Sequence, residues 1–163
     1  MIHDLDIVLH VVKSPVRSIN ASGVSVLSST PDIANARIEF INGCVANITS
    51  SRMSLNNVRK SRFFQKNAYV SVDFLNRSHE YIRLDSNKIP KENSSFQNIK
   101  TIPKESVMIQ TQNNSGINPI EEELKSFINS ITTNINPTVD LESAQMALKL
   151  TIDIMEQITM GQN

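Results

Sequence analysis

The sequence predicts an α+β domain, a largely antiparallel open sheet with helices packed on one face. Three observations predict it. Apolar and polar residues alternate on both sides of Asn42-Gly43, further alternating segments run on to residue 84, and two amphipathic helical segments close the chain.

The chain opens with MIHDLDIVLHVV, which reads as an amphipathic helix. Ile2, Leu5, Leu9 and Val12, with Val8 beside them, form one stripe at spacings of three and four. His3, Asp6 and His10 fall on the other side. No Ser, Thr, Asp or Asn precedes the pattern to accept the first free N–H groups. The expectation is a helix cut from a larger fold, with a polar face at the cut. Pro15 ends the helix, residues 16–22 look extended, and Gly23 with residues 28–31 is turn material.

Residues 32–40 alternate, with Ala34, Ala36, Ile38 and Phe40 on one face and Asn35, Arg37 and Glu39 on the other. Asn42-Gly43 then signals a type I′ hairpin turn, whose central residues need positive φ. Residues 44–49 return with Cys44, Ala46 and Ile48 on the dry face, so Cys44 is expected to be a buried, inert thiol. Segments 58–65, 69–75 and 79–84 continue the meander, broken at Lys66-Asn67 and Asn76-Arg77. In the middle one, Val70, Val72 and Phe74 read as dry, and Tyr69, Ser71, Asp73 and Leu75 as wet. Residues 86–117 are polar and read as a surface loop, with one more weak strand expected over 99–109. Asn118-Pro119 starts a helix whose stripe is Ile120, Leu124, Phe127, Ile128 and Ile131. Asp140 caps a last helix, with Ala144, Ala147, Leu148, Thr151, Met155 and Ile158 expected on its buried side. Both helices are expected to pack on the sheet. A single domain over residues 1–163 is expected.

Lys plus Arg and Asp plus Glu both number 16, so the formal net charge is zero, which offers no broad attraction to nucleic acid or anionic membrane. The single cysteine excludes an internal disulfide framework. No apolar run approaches the roughly 20 residues that span a bilayer. Asp4 and Asp6 interrupt the N-terminal apolar stretch, so no signal peptide is read and a cytoplasmic protein is expected.

His3, Asp6 and His10 share one helix face, but three ligands on one helix converge poorly on a metal ion and no fourth is evident, so no metal site is expected. His10 reads as a surface residue paired with Asp6. Arg52, Arg59, Lys60, Arg62 and Lys66 read as a solvated strand edge or subunit contact. With four glycines and no GxGxxG or phosphate-loop pattern, no cofactor-binding residues are assigned.

The opening run resembles the helix that begins the C-terminal domain of the Gfo/Idh/MocA family of NAD(P)-dependent oxidoreductases. TPDIANARIEFINGCVANITSSRMSL and RKSRFFQKNAYVSVDFL are similar to the strands that follow in a bacterial branch of that family. NPIEEELKSFINSI and ESAQMALKLTIDIMEQI are similar to its closing helix pair. The resemblance implies a substrate-binding and oligomerisation domain without its N-terminal Rossmann domain. It implies NAD or NADP in the complete enzyme, none bound by this chain alone, and a sugar or nucleotide-sugar substrate. His3 matches the family's catalytic histidine and Asp6 a later acid of the motif, while the earlier acid falls before Met1. The implied partners are a second copy through the open sheet face and a separate Rossmann half. A non-catalytic binding module, or the remnant of a truncated oxidoreductase gene, is the alternative.

Overall fold

The structure is a computed structural model, and it describes residues 1–84, 107–113, 118–137 and 139–161. Among the described residues it is α+β, with three helices and seven strands in two antiparallel sheets rather than one. The chain forms two compact units, Met1–Leu55 with Glu123–Asn163, and Asn56–Glu122.

In the first unit, helix α1 (Ile2–Val12) leads into strands β1 (Val16–Val24), β2 (Ile33–Phe40) and β3 (Val45–Ser51), in the order β1-β2-β3. Register places Ile19, Ile38 and Ala46 in one row and Ala21, Ala36 and Ile48 in the next. These residues face the core, with Ala36, Ile38 and Phe40 fully buried. The alternate rows, Asn20–Arg37–Asn47 and Ser22–Asn35–Thr49, form the open face. That face is polar and internally bonded: Thr49 Oγ1 donates to Asn35 Oδ1 at 2.8 Å, and Arg37 pairs with Glu39 at 3.2 Å.

Helix α3 (Leu141–Met160) covers the core face, packing on β1 and on α1. Asp140 caps it, accepting from the Ser143 N–H at 2.8 Å. Its buried stripe is Ala147, Leu150, Ile154 and Ile158. The expected stripe is therefore rotated: Ala144, Leu148 and Met155 are exposed, while Leu150 and Ile154 are inside. The helix is apolar on two adjoining faces, and fit to the small residues Ala21, Gly23, Ala34 and Ala36 selects between them. At Gly23 an added Cβ would stand 2.7 Å from Ile158 Cγ2, so this glycine lets the helix approach. In α1, Leu5 is fully buried and Val8, Leu9 and Val12 pack around it; Ile2 is exposed and Met1 takes a place against the core instead.

The hairpin forms where expected but with a different turn. Phe40 N–H donates to Cys44 O at 2.9 Å and Gly43 N–H to Phe40 O at 3.0 Å. That is a three-residue loop in which Gly43 (φ 86) alone takes positive φ. Cys44 closes the hairpin opposite Phe40 at the end of the sheet, and its thiol is exposed rather than buried.

Helix α2 (Pro119–Thr133) matches the expected span, with the Ile120 N–H bonded to Asn118 Oδ1 at 3.1 Å. Its apolar stripe is not buried: Leu124, Phe127, Ile128 and Ile131 are all more than half exposed. Only Ser130 of this helix is inside.

In the second unit, β4 (Lys60–Gln65), β5 (Ala68–Asp73), β6 (Ser78–Leu84) and β7 (Val107–Asn113) pair in sequence order, all antiparallel. The strand expected over 99–109 is met in part by β7; residues 99–106 lie outside the described residues. Phe64 and Tyr69 stack across β4 and β5 with ring centroids 5.0 Å apart. Ser71, on the face expected to be wet, is the most buried residue of β5. Asp73 holds the β5–β6 turn, accepting from the Leu75 and Asn76 N–H groups at 3.1 and 3.0 Å. Chiefly the Asn76 N–H, with Lys60 adding its charge at 3.4 Å, keeps its carboxyl below the usual range.

Candidate functional site

The first turn of α1 carries the chemistry-bearing residues that the sequence singles out. Backbone bonds from Asp4 and Leu5 to Met1 O, each 3.0 Å, start the helix without a side-chain cap. The Met1 ammonium lies 3.6 Å from Asp4 Oδ2. His3 is exposed and, among the described residues, has no hydrogen-bond partner within the chain. Its imidazole is thus free to meet a group brought from outside. Asp6 is half-buried and His10 exposed, and no ion pair joins them among the described residues. No group of three or more His, Cys, Asp or Glu able to hold a metal ion occurs among the described residues.

Beside this turn lies a hollow of about 190 Å³, lined by Met1, Asp32, Arg52, Thr151, Ile154 and Met155 among others. Ligand clefts run from about 300 Å³ upward, so the hollow is smaller than a typical cleft. Its floor is apolar, from Ile154 and Met155, and its rim is ionic. Asp32 Oδ2 accepts from the Val26, Leu27 and Ser28 N–H groups at 2.8, 2.8 and 3.1 Å. The N–H groups, Leu27's foremost, hold its carboxyl far below the usual carboxylate range. Arg52 lies 3.1 Å from Asp32 Oδ1 and donates to the carbonyls of Thr30 and Pro31. Arg52 therefore locks the β1–β2 loop. The sequence reading grouped it with a basic patch, and the Ser28-to-Asp32 spacing before the strand was the signal for this loop.

Of the rest of that basic patch, Arg62 and Lys66 are exposed on and just after β4. Lys60 pairs with Asp73, and Arg59 lies over the Phe74 ring at 5.1 Å.

A dinucleotide cofactor needs a glycine-rich strand-to-helix turn that presents N–H groups to a pyrophosphate. The described glycines serve other ends: Gly23 admits Ile158, Gly43 turns the hairpin and Gly161 follows α3. Among the described residues no glycine forms such a turn. No helix among them is long and apolar enough to cross a membrane.

No family model matches the chain. Over 84 residues, 51% of this chain and 27% of the relative, it is 39% identical to a UDP-N-acetylglucosamine 3-dehydrogenase of Acidithiobacillus ferrooxidans. The solved structure of UDP-N-acetylglucosamine 3-dehydrogenase from that organism superposes with a TM-score of 0.81 at 24% identity, covering 97% of this chain and 47% of that one. A levoglucosan dehydrogenase solved with NADH superposes with a TM-score of 0.76 at 12% identity, covering 97% and 46%. The chain thus spans less than half the length of the proteins it matches.

Proposed function

Because this chain has the fold of the C-terminal domain of the Gfo/Idh/MocA-type dehydrogenases, we propose that residues 1–163 act as one substrate-binding and oligomerisation domain. The complete enzyme moves hydride between NAD or NADP and a hydroxyl of a sugar or nucleotide sugar, in the cytoplasm. The observation that carries this reading is the 39% identity to a UDP-N-acetylglucosamine 3-dehydrogenase, within a fold shared with sugar dehydrogenases.

His3 is the acid/base or hydroxyl-orienting residue. Imidazole changes charge near neutral pH, which suits proton exchange with a sugar hydroxyl. Its exposure in the first turn of α1 supports that role; Met1, two residues earlier, lines the hollow, and His3 itself does not. The partial size of the hollow and the uncovered apolar stripe of α2 support a second body, the cofactor half, completing the site. Self-association through the open face of β1–β3 completes the assembly. NAD(P) itself supplies the hydride acceptor or donor when bound; the described residues of this chain contribute the substrate wall and the proton.

Titration of the isolated chain with NADH tests the division of labour. The expected result is no saturable change in NADH fluorescence. Saturable binding would contradict it, because the cofactor would then sit on the half assigned to substrate.

A further inference from the structure

Arg52 holds the β1–β2 loop with a single nitrogen. Its Nη2 donates to Ser28 Oγ at 3.1 Å, to Thr30 Oγ1 at 2.9 Å, and to the carbonyls of Thr30 and Pro31 at 3.3 and 2.9 Å. The same nitrogen lies 3.1 Å from Asp32 Oδ1. A guanidinium carries five N–H donors in one rigid plane, and Nη2 accounts for only two of them. The others, on Nε and Nη1, have no partner among the described residues. A lysine ammonium, with all its donors on one nitrogen, would serve such a lock as well. The loop therefore does not explain why a guanidinium stands here.

Arg52 also lines the hollow of about 190 Å³, and every residue of that lining belongs to the first unit. Ala34, Ile154 and Met155 give the hollow apolar surface. The Arg52 side chain is 59% exposed although its end is pinned, so its spare donors are accessible and held in place. An apolar surface with a few fixed polar groups is how proteins orient a small ligand.

From this surplus of donors we infer that Arg52 is a substrate-binding residue, donating to an oxygen of a sugar ring whose C–H face lies on Ala34, Ile154 and Met155. This rests on the sugar-dehydrogenase reading above and names a residue of its substrate wall. Charge selects the sugar over a diphosphate. Asp32 already neutralises the guanidinium, and a phosphate bound there would face that carboxylate. Size agrees, because a hollow below the roughly 300 Å³ of whole-ligand clefts takes one ring rather than a complete nucleotide sugar.

Saturation-transfer NMR of the wild-type chain with UDP-N-acetylglucosamine tests the residue. Saturation should reach the sugar protons more strongly than those of the uracil, and the Arg52 Nε–H signal should shift as the ligand is added. Arg52→Lys should keep the wild-type melting temperature, because one nitrogen still holds the loop, and should bind the ligand about tenfold or more weakly. The wild-type Nε–H signal decides the matter should that variant fail to fold. No saturable binding to the wild-type chain overturns the inference together with the substrate-binding reading. Saturable binding with an unmoved Arg52 Nε–H signal, or with equal affinity in a folded Arg52→Lys, overturns the inference alone and leaves that reading standing. Saturation confined to the uridine protons overturns the assignment of a sugar to this hollow.

Discussion

The side-chain amide of Gln157 donates to the carbonyl of Ile19 at 2.9 Å, and its oxygen accepts from the N–H of Ala21. A residue of α3 thereby acts as a short extra strand beside β1. The contact joins residues 138 positions apart and fixes the height of α3 along the sheet edge. Replacing it with a leucine of similar length leaves one donor and one acceptor half-buried without partners. Gln157→Leu should lose about 1–3 kcal/mol of stability by chemical denaturation. An unchanged midpoint and slope would show that water satisfies both groups equally well.

Gly23 sets the spacing between the same helix and strand. A Cβ there meets Ile158 Cγ2 at 2.7 Å, Pro31 Cβ at 3.1 Å and Ile33 O at 3.3 Å. Gly23→Ala should cost about 1–3 kcal/mol through overpacking. Adding Ile158→Ala should recover part of that loss, so the double variant should be more stable than the sum of the two single effects implies. Strict additivity would place the strain elsewhere.

Asp32 makes the fold sensitive to acid. Its carboxyl titrates lower in the folded chain than in the unfolded one, chiefly because the N–H groups of Leu27 and Val26 bond the charged form. The stabilisation is complete above the unfolded pKa of about 3.9 and is lost as pH falls below it toward the folded value. The melting temperature should therefore drop below about pH 4. Asp32→Asn should melt several degrees lower at neutral pH and lose part of that acid dependence. Equal acid slopes in both proteins would assign the effect to other carboxylates.

Cys44 offers a check on the hairpin. Its exposed position predicts that the native thiol reacts with a disulfide reagent as fast as the unfolded one. Strong protection in the native state would show the thiol covered, as simple alternation places it.

Period-two alternation identified β2 and β3 because one face of that sheet is dry and the other wet, which the pattern encodes directly. It placed Cys44 inside because alternation does not show where cover ends, and Cys44 sits at the hairpin end of the sheet. It misread Ser71 because a buried serine and an exposed one look alike in a pattern of residue types. The α3 stripe was read one face off because Leu148, Met155, Leu150 and Ile154 are all apolar. Only the small residues at Gly23 and Ala21, on a distant strand, decide between the faces. The division into two sheets depends on long-range pairing that no local pattern carries. For the site, His3 is proposed from its resemblance to a family motif. The Asp32–Arg52 lock was not, since it joins residues 20 apart through a loop.

The central claim is that this chain supplies the substrate wall of a two-part reaction chamber, with His3 on the helix that opens it. The most direct measurement is steady-state oxidation of UDP-N-acetylglucosamine by the enzyme completed with a nucleotide-binding half, comparing wild type with His3→Ala. The account predicts that kcat falls about 100- to 10,000-fold while NAD(P) affinity is unchanged. Turnover undiminished by His3→Ala would contradict it.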